Sequence, residues 1–234
     1  MNARERMLGK LRAAVPDAGK TLAENNAAIS QRIAAHYVAR RSVTSEHERI
    51  TAMCDALTAI RAEPHVTNEQ QWPALVAAEL AKSGVKRLLL DTNSPESAAL
   101  ATALPAGIEA VRYEKNIEDW KPELFDTIDA GFCVARSGIT PLGTLIVVPD
   151  ANSPRTISLV PPLHVALVRA STLHPDMQSL AAAERWGDGM PTNLVMITGP
   201  SKTSDIQQVL AFGAHGPCRL MVVIVTEQET EARA

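Results

Sequence analysis

Between Arg87 and Thr226 the chain repeats one pattern: short runs of Leu, Val and Ile alternate with turn residues and helix-forming stretches. The clearest runs lie at 87–91, 130–134, 144–148, 164–169, 194–198 and 219–226. Apolar runs of about four to eight residues bounded by turn residues suit strands buried on both faces. With helical stretches between them, they predict an α/β fold of three layers, a mostly parallel sheet with helices on both faces. From Ala130 to Arg169 the runs follow too closely for helical crossovers, which need about a dozen residues or more. That stretch is expected to be hairpin-like or locally antiparallel.

The helices can be placed by their apolar spacing and caps. Thr44–Ile60 carries Ile50, Met53, Leu57 and Ile60 at helical spacing, with Ser45 or Thr44 as cap. Glu69–Lys82 carries Trp72, Leu75, Val76 and Leu80 and stops at Gly84. Ser94 caps a helix running to Leu104, with Glu96 in its first turn. Trp120–Phe125 is predicted as a short helix or turn, Pro175–Ala183 and Ser204–Ala211 as helical, and Thr156–Val160 as extended. His65–Thr67 and Ile108–Tyr113 are predicted strands. Before these, Asn2–Val15 predicts a short amphipathic helix with Met7, Leu8 and Leu11 as its apolar stripe, and the Ala-rich Thr21–Arg41 a helix with a thin apolar face. The expected organisation is a helical arm over 1–42 and an α/β domain over 43–234.

Composition narrows the function. Aromatic residues are only 3% of the 234, so a stacking platform for bases is disfavoured. The net charge of -3 carries no polyanion-binding signal. Three cysteines, Cys54, Cys133 and Cys218, stand far apart with no Cys-x-x-Cys pair, which disfavours a cluster or zinc knuckle within this chain. No signal peptide and no apolar run of membrane-spanning length is read, so a cytoplasmic protein is expected.

Four loops carry candidate chemistry. Gly199-Pro200-Ser201-Lys202-Thr203-Ser204-Asp205 follows a strand and precedes the helix expected from Ser204. Backbone N–H groups at such a turn, with Lys202 beside them, would favour an anion. The Gly-x-x-x-x-Gly-Lys spacing of a nucleotide loop is absent. Gly213-Ala214-His215-Gly216-Pro217 leaves an imidazole between flexible residues, a candidate acid/base or anion ligand. His215 stands where a strand starts, whereas open sheets bind ligands at their carboxyl ends. Ala135–Thr144 offers Arg136 and Thr144 as ligand donors, while Ser137 has no evident His–Asp partners. Pro161-Pro162-Leu163-His164 places a second imidazole at a strand start, without the close His spacing of a metal site.

These residues carry a family likeness. Gly143-Thr144, Leu159-Val160-Pro161-Pro162-Leu163-His164, Thr198–Ile206 and Gly213–Pro217 together resemble the lactate-utilisation protein C family of stand-alone LUD-domain proteins. The likeness runs from about Val43 to Thr226 and is stronger in the second half. Where the family usually has an acidic residue and Thr before Gly-Thr, this chain has Pro141 and Leu142. Lys202 and Ser204 stand where Arg or Ala is frequent.

The resemblance implies a fold similar to the sugar-isomerase and CoA-transferase-like superfamily. It also implies a part in oxidising L-lactate to pyruvate beside two partners, one cysteine-rich and one bearing iron–sulfur clusters. This chain would then be the component without redox centres and with no cofactor of its own. It would bind a small anionic metabolite or organise the partners, and a homo-oligomer is a further expectation. An independent isomerase, transferase or ligase acting on a phosphorylated or CoA-linked metabolite is the competing expectation. The candidate catalytic residues are His215 and Asp205. The candidate ligand-binding residues are Gly143, Thr144, Gly199, Ser201, Lys202, Thr203 and Ser204, with no metal site expected.

Overall fold

Residues 3–14, 18–39, 45–204 and 210–227 are described by the computed structural model, which divides into compact units at 1–41 and 42–234. The first unit holds α1 (Ala3–Ala14) and α2 (Ala18–Val38), so the second helix starts earlier than Thr21. Met7, Leu11, Ile29 and Ile33 are exposed on these helices.

In the second unit α3 (Glu46–Ala59) opens on a capping box. The Ser45 amide donates to Glu48 Oε2 at 2.9 Å and the Glu48 amide to Ser45 Oγ at 3.2 Å, which satisfies two N–H groups that a helix start leaves unpaired. Strands and helices then alternate: β1 (Glu63–Asn68), α4 (Trp72–Lys82), β2 (Arg87–Leu90), α5 (Pro95–Ala103), β3 (Glu109–Arg112), α6 (Ile117–Asp126) and β4 (Ala130–Val134). Ser94 caps α5 as expected, its Oγ accepting from the Ser97 amide. After β4 come β5 (Ser137–Ile139), β6 (Thr144–Val147), α7 (Thr156–Leu159), β7 (Leu163–Arg169), β8 (Leu173–His174), α8 (Met177–Ala183), β9 (Val195–Thr198), β10 (Lys202–Ser204), β11 (Leu210–Phe212) and β12 (Arg219–Thr226).

The main sheet has six strands in the order β1-β12-β7-β4-β2-β3, all parallel. Its residues alternate between two cores, as the period of two along a strand requires. Leu220, Val222 and Ile224 face Met53 and Leu57 of α3, Trp120 and Leu124 of α6, and Ile157 of α7. Met221, Val223 and Val225 face Trp72, Val76 and Leu80 of α4 and Leu100 of α5. Helices therefore cover both faces, which is why β12 reads as an unbroken apolar run rather than an alternating one.

The stretch between β4 and β12 builds a second sheet in the order β8-β5-β6-β9. β5–β6 and β6–β9 pair antiparallel and β5–β8 parallel, in line with the antiparallel expectation for that segment. Gly143 closes the β5–β6 turn at φ 61. A Cβ there would stand 3.2 Å from the Leu57 amide, so α3 runs against this turn. Leu145 and Val147 join the core shared with α3, whereas Ile146 packs with Ile139 and Leu180 on the other side.

Two local expectations are corrected. Thr156–Val160, read as extended, forms the short helix α7. This helix lies so close to β4 that a Cβ on Gly131 would stand 2.1 Å from the Ile157 carbonyl oxygen. A missing side chain on the neighbouring strand made room for it, and local propensity does not report that. Ser204–Ala211, read as a helix, supplies strand residues at both ends, with Ser204 opposite Leu210 and Thr203 opposite Ala211. Ser204 is therefore a strand residue and not a helix cap; tertiary pairing overrides a weak helical propensity.

Candidate functional site

Three of the four loops singled out in the sequence meet at one cavity of about 220 Å³. β9 ends at Thr198, and Gly199 turns the chain at φ 82, a conformation that suits glycine. Ser201 then ties this loop to the second one. Its amide donates to the Pro217 carbonyl at 2.7 Å, and its carbonyl accepts from the Gly213 amide at 3.0 Å. Between these ties β10 and β11 run out as a hairpin and return. Gly213 has φ 78, and a Cβ there would approach Cys218 Cβ to 2.6 Å. Gly216 packs beside Ser201, where a Cβ would lie 3.3 Å from that side chain.

The other walls come from the main domain. Ser158 and Leu159 of α7, His164 of β7 and Leu220 of β12 line the cavity together with Val195–Ser201 and His215–Pro217. His164 and Leu220 are the second residues of their strands, so the cavity sits at the amino ends of β7 and β12. Ligands of open parallel sheets usually sit at the opposite, carboxyl ends. Here the second sheet, whose β6–β9 pair is antiparallel, delivers the carboxyl end of β9 to the amino end of β12, so the strand-end preference that weighed against His215 in the sequence does not govern this site.

Of the residues expected to act, Gly199, Ser201 and His215 line the cavity. Thr144 stands just behind it, its Oγ1 2.8 Å from Oγ1 of Thr198, which does line it. Gly143 serves the β5–β6 turn. Lys202, Thr203 and Ser204 lie on the hairpin strand β10 and are not among the lining residues; Lys202 is exposed. Among the described residues, no lysine lines this cavity. Asp205 lies outside the described residues. Arg136 is exposed, at the start of the hairpin.

The residue that sequence reasoning undervalued is His164. It is 1% exposed, and its Nε2 lies 3.0 Å from Cys133 Sγ. Burial holds the His164 imidazole down at about 4, hence neutral at physiological pH. Burial, helped by the charge of Asp91, pushes the Cys133 thiol up to about 12. The pair is 31 residues apart in sequence. It meets only because β4 and β7 pair with Cys133 opposite Ala166 and Gly131 opposite His164. A histidine inside an otherwise apolar strand was the one available signal.

Other polar clusters are accounted for by structure. Asp91, buried at the carboxyl end of β2, accepts from the amides of Asn93 and Ser94 and the hydroxyls of Ser94 and Ser97, so it anchors the start of α5. Ser137 donates to Glu184 Oε1 at 2.5 Å, and Glu184 Oε2 accepts from Trp186 Nε1, which pins the serine in place. Among the described residues, no group of three or more His, Cys, Asp or Glu is placed to hold a metal ion. No described helix is long and apolar enough to cross a membrane.

Comparison with known proteins agrees with this layout. Residues 50–225 match the LUD domain. An uncharacterized protein of Neisseria meningitidis serogroup B is 37% identical over 183 residues, 77% of this chain and 78% of that one. A lactate utilization protein C of an Exiguobacterium species is 36% identical over 107 residues, 44% of this chain and 46% of its own length. One of Deinococcus radiodurans is 30% identical over 158 residues, 65% of this chain and 68% of its own. The crystal structure of a DUF162 family protein from Deinococcus radiodurans superposes with a TM-score of 0.59 at 23% identity, covering 78% of this chain and 99% of that one, and so shares its fold. The match runs from within α3 to within β12, the cavity loops included, and the chain belongs to the LUD-domain family.

Proposed function

We propose that this chain is the component without redox centres of a system that oxidises L-lactate to pyruvate, and that its cavity receives a small anionic metabolite. One observation carries the reading. In a LUD-domain chain whose relatives include proteins called lactate utilization protein C, the loops around Gly199 and His215 close on one metabolite-sized cavity. Its 220 Å³ is below the roughly 300–1,000 Å³ of pockets that enclose drug-sized ligands.

In this reading Gly199, Ser201 and His215 contact the ligand, and Thr144 acts through Thr198. Cys54, Cys133 and Cys218 are free thiols, half-buried, buried and exposed in turn, and in this reading the iron–sulfur chemistry would belong to partner proteins. The wider fold kinship we favour is the sugar-isomerase and CoA-transferase-like superfamily, supported by the parallel sheet with helices on both faces and argued by analogy alone.

Deletion of the gene should abolish growth on L-lactate as sole carbon source while sparing growth on pyruvate. Affinity capture of the full chain from lactate-grown cells should recover proteins that carry iron–sulfur clusters. Normal growth of the deletion strain on lactate, with no cluster protein captured, would refute the role.

A further inference from the structure

We propose that His164, held by Cys133, is the residue that reads the ligand's acid group: its Nδ1–H donates to one oxygen of a small carboxylate in the cavity. The inference rests on the reading of this cavity as a site for a small anion, and it names the chemistry of that anion.

The ring has one nitrogen committed and one free. Nε2 meets Cys133 Sγ at 3.0 Å; Nδ1 makes no hydrogen bond to any described residue. Yet the side chain is buried and lines the cavity. A ring nitrogen that no described residue meets, on a side chain that lines the cavity, is open to a ligand oxygen. The identity of the partner at Nε2 decides which nitrogen carries the proton. Cys133 keeps its proton at neutral pH, because burial disfavours the thiolate. A thiol that keeps its proton needs an acceptor, and Nε2 is the acceptor within reach. The ring proton then sits on Nδ1. The reverse arrangement would leave the S–H unpaired in an apolar core and turn a lone pair toward the cavity.

The remaining lining selects a carboxylate over a phosphate. No Lys or Arg is among the described lining residues, and a phosphate dianion lacking cations would be poorly compensated. Ser201 Oγ makes no hydrogen bond to a described residue and is available as a second donor. When the Thr144 hydroxyl donates to Thr198 across their 2.8 Å contact, the Thr198 proton is released for the ligand as well. Leu159, Ile197 and Leu220 supply apolar wall for a short carbon chain. Neutral donors on apolar walls suit a monoanion with a small hydrocarbon body.

Nitrogen-15 NMR of the histidine rings, with the His164 signals assigned by loss in His164→Asn, tests this on the native full chain at neutral pH. His164 should appear as the neutral Nδ1–H tautomer, and the Nε2–H tautomer would overturn the proposal. Titration with propionate, L-lactate and pyruvate should move the His164 Nδ1 resonance, whereas inorganic phosphate at equal concentration should not. No response to any of the three carboxylates, or an equal response to phosphate, would also overturn it. His164→Phe should weaken carboxylate binding by about tenfold or more, the effect of losing a hydrogen bond to a charged group. His164→Asn, which keeps an N–H near the Nδ1 position, should retain most of it; equal loss in both folded variants counts against the proposal. Carboxylate binding in a chain whose deletion leaves growth on lactate intact would sink the lactate role and leave this site standing. A growth defect with no carboxylate response would do the reverse.

Discussion

The buried imidazole of His164 makes stability pH-dependent in a window that can be calculated. Its folded-state pKa is about 4 against an ordinary 6.5, with burial as the cause. Between those values the unfolded chain holds the proton and the folded chain refuses it, so stability rises with pH across the window. Above about pH 6.5 the ring is neutral in both states and contributes no slope. At ~1.4 kcal/mol for each pH unit, the loss amounts to ~2 kcal/mol by pH 5 and ~3 kcal/mol near pH 4.

Many carboxylates also titrate on acidification, so the measurement must be a difference. Urea unfolding followed by circular dichroism, at half-unit steps between pH 4.5 and 8 (roughly the span over which linkage acts), should be run on the native chain and on His164→Gln. Glutamine can still meet Cys133 and cannot titrate. The native chain should lose ~2 kcal/mol more than the variant on going from pH 7.5 to 5, with unchanged denaturant slope. Parallel curves within about 0.5 kcal/mol, an ordinary error for such extrapolations, would show that His164 protonates freely in the folded protein. The neutral-ring argument would then fail.

Three further outcomes follow from the packing. Gly131→Ala drives a Cβ into the Ile157 carbonyl oxygen at 2.1 Å; backbone yields poorly, so thermal unfolding should report a loss of ~3 kcal/mol or more, at or beyond the usual range for overpacking. Thiol titration with an aromatic disulfide should find exposed Cys218 fast, and Cys54, whose thiol burial and then Asp55 push up, slower. Cys133, pushed up to about 12 by burial, should react only once urea unfolds the chain; rapid labelling of all three in buffer would contradict the buried pair. Asp129 Oδ2 accepts from the amides of Lys86 and Arg87 at 2.8 and 2.9 Å, so Asp129→Ala should cost ~1–3 kcal/mol in denaturant unfolding.

Much of the scaffold was legible because its signals are local. The runs at Arg87–Leu90, Ala130–Val134 and Arg219–Thr226 are strands as read, because only a sheet covered on both faces needs such unbroken apolar stretches. Ser45 and Ser94 cap the helices they precede, since a cap acts within three residues of itself. The errors fall where contacts beyond a helical turn decide. Thr156–Leu159 is helical against a strand whose Gly131 leaves it room, and Ser204 pairs with Leu210 across a hairpin.

The candidate site divides the same way. Gly199, Ser201 and His215 could be named from their loops, because small residues and a flexible imidazole mark a place where backbone and ligand approach. Lys202 could be named too, but strand pairing carried it onto an exposed hairpin. His164 and Cys133 looked like two ordinary buried residues, 31 positions apart. By itself the sequence determined the α/β alternation, the caps and the loops rich in small residues, because these depend on near neighbours and on the periodicity of burial. Only the tertiary structure decided which loops share a cavity, which strand end they occupy and which buried imidazole reaches it. Those facts follow from strand register and from the place of the second sheet beside the parallel one, and no short stretch of chain encodes either.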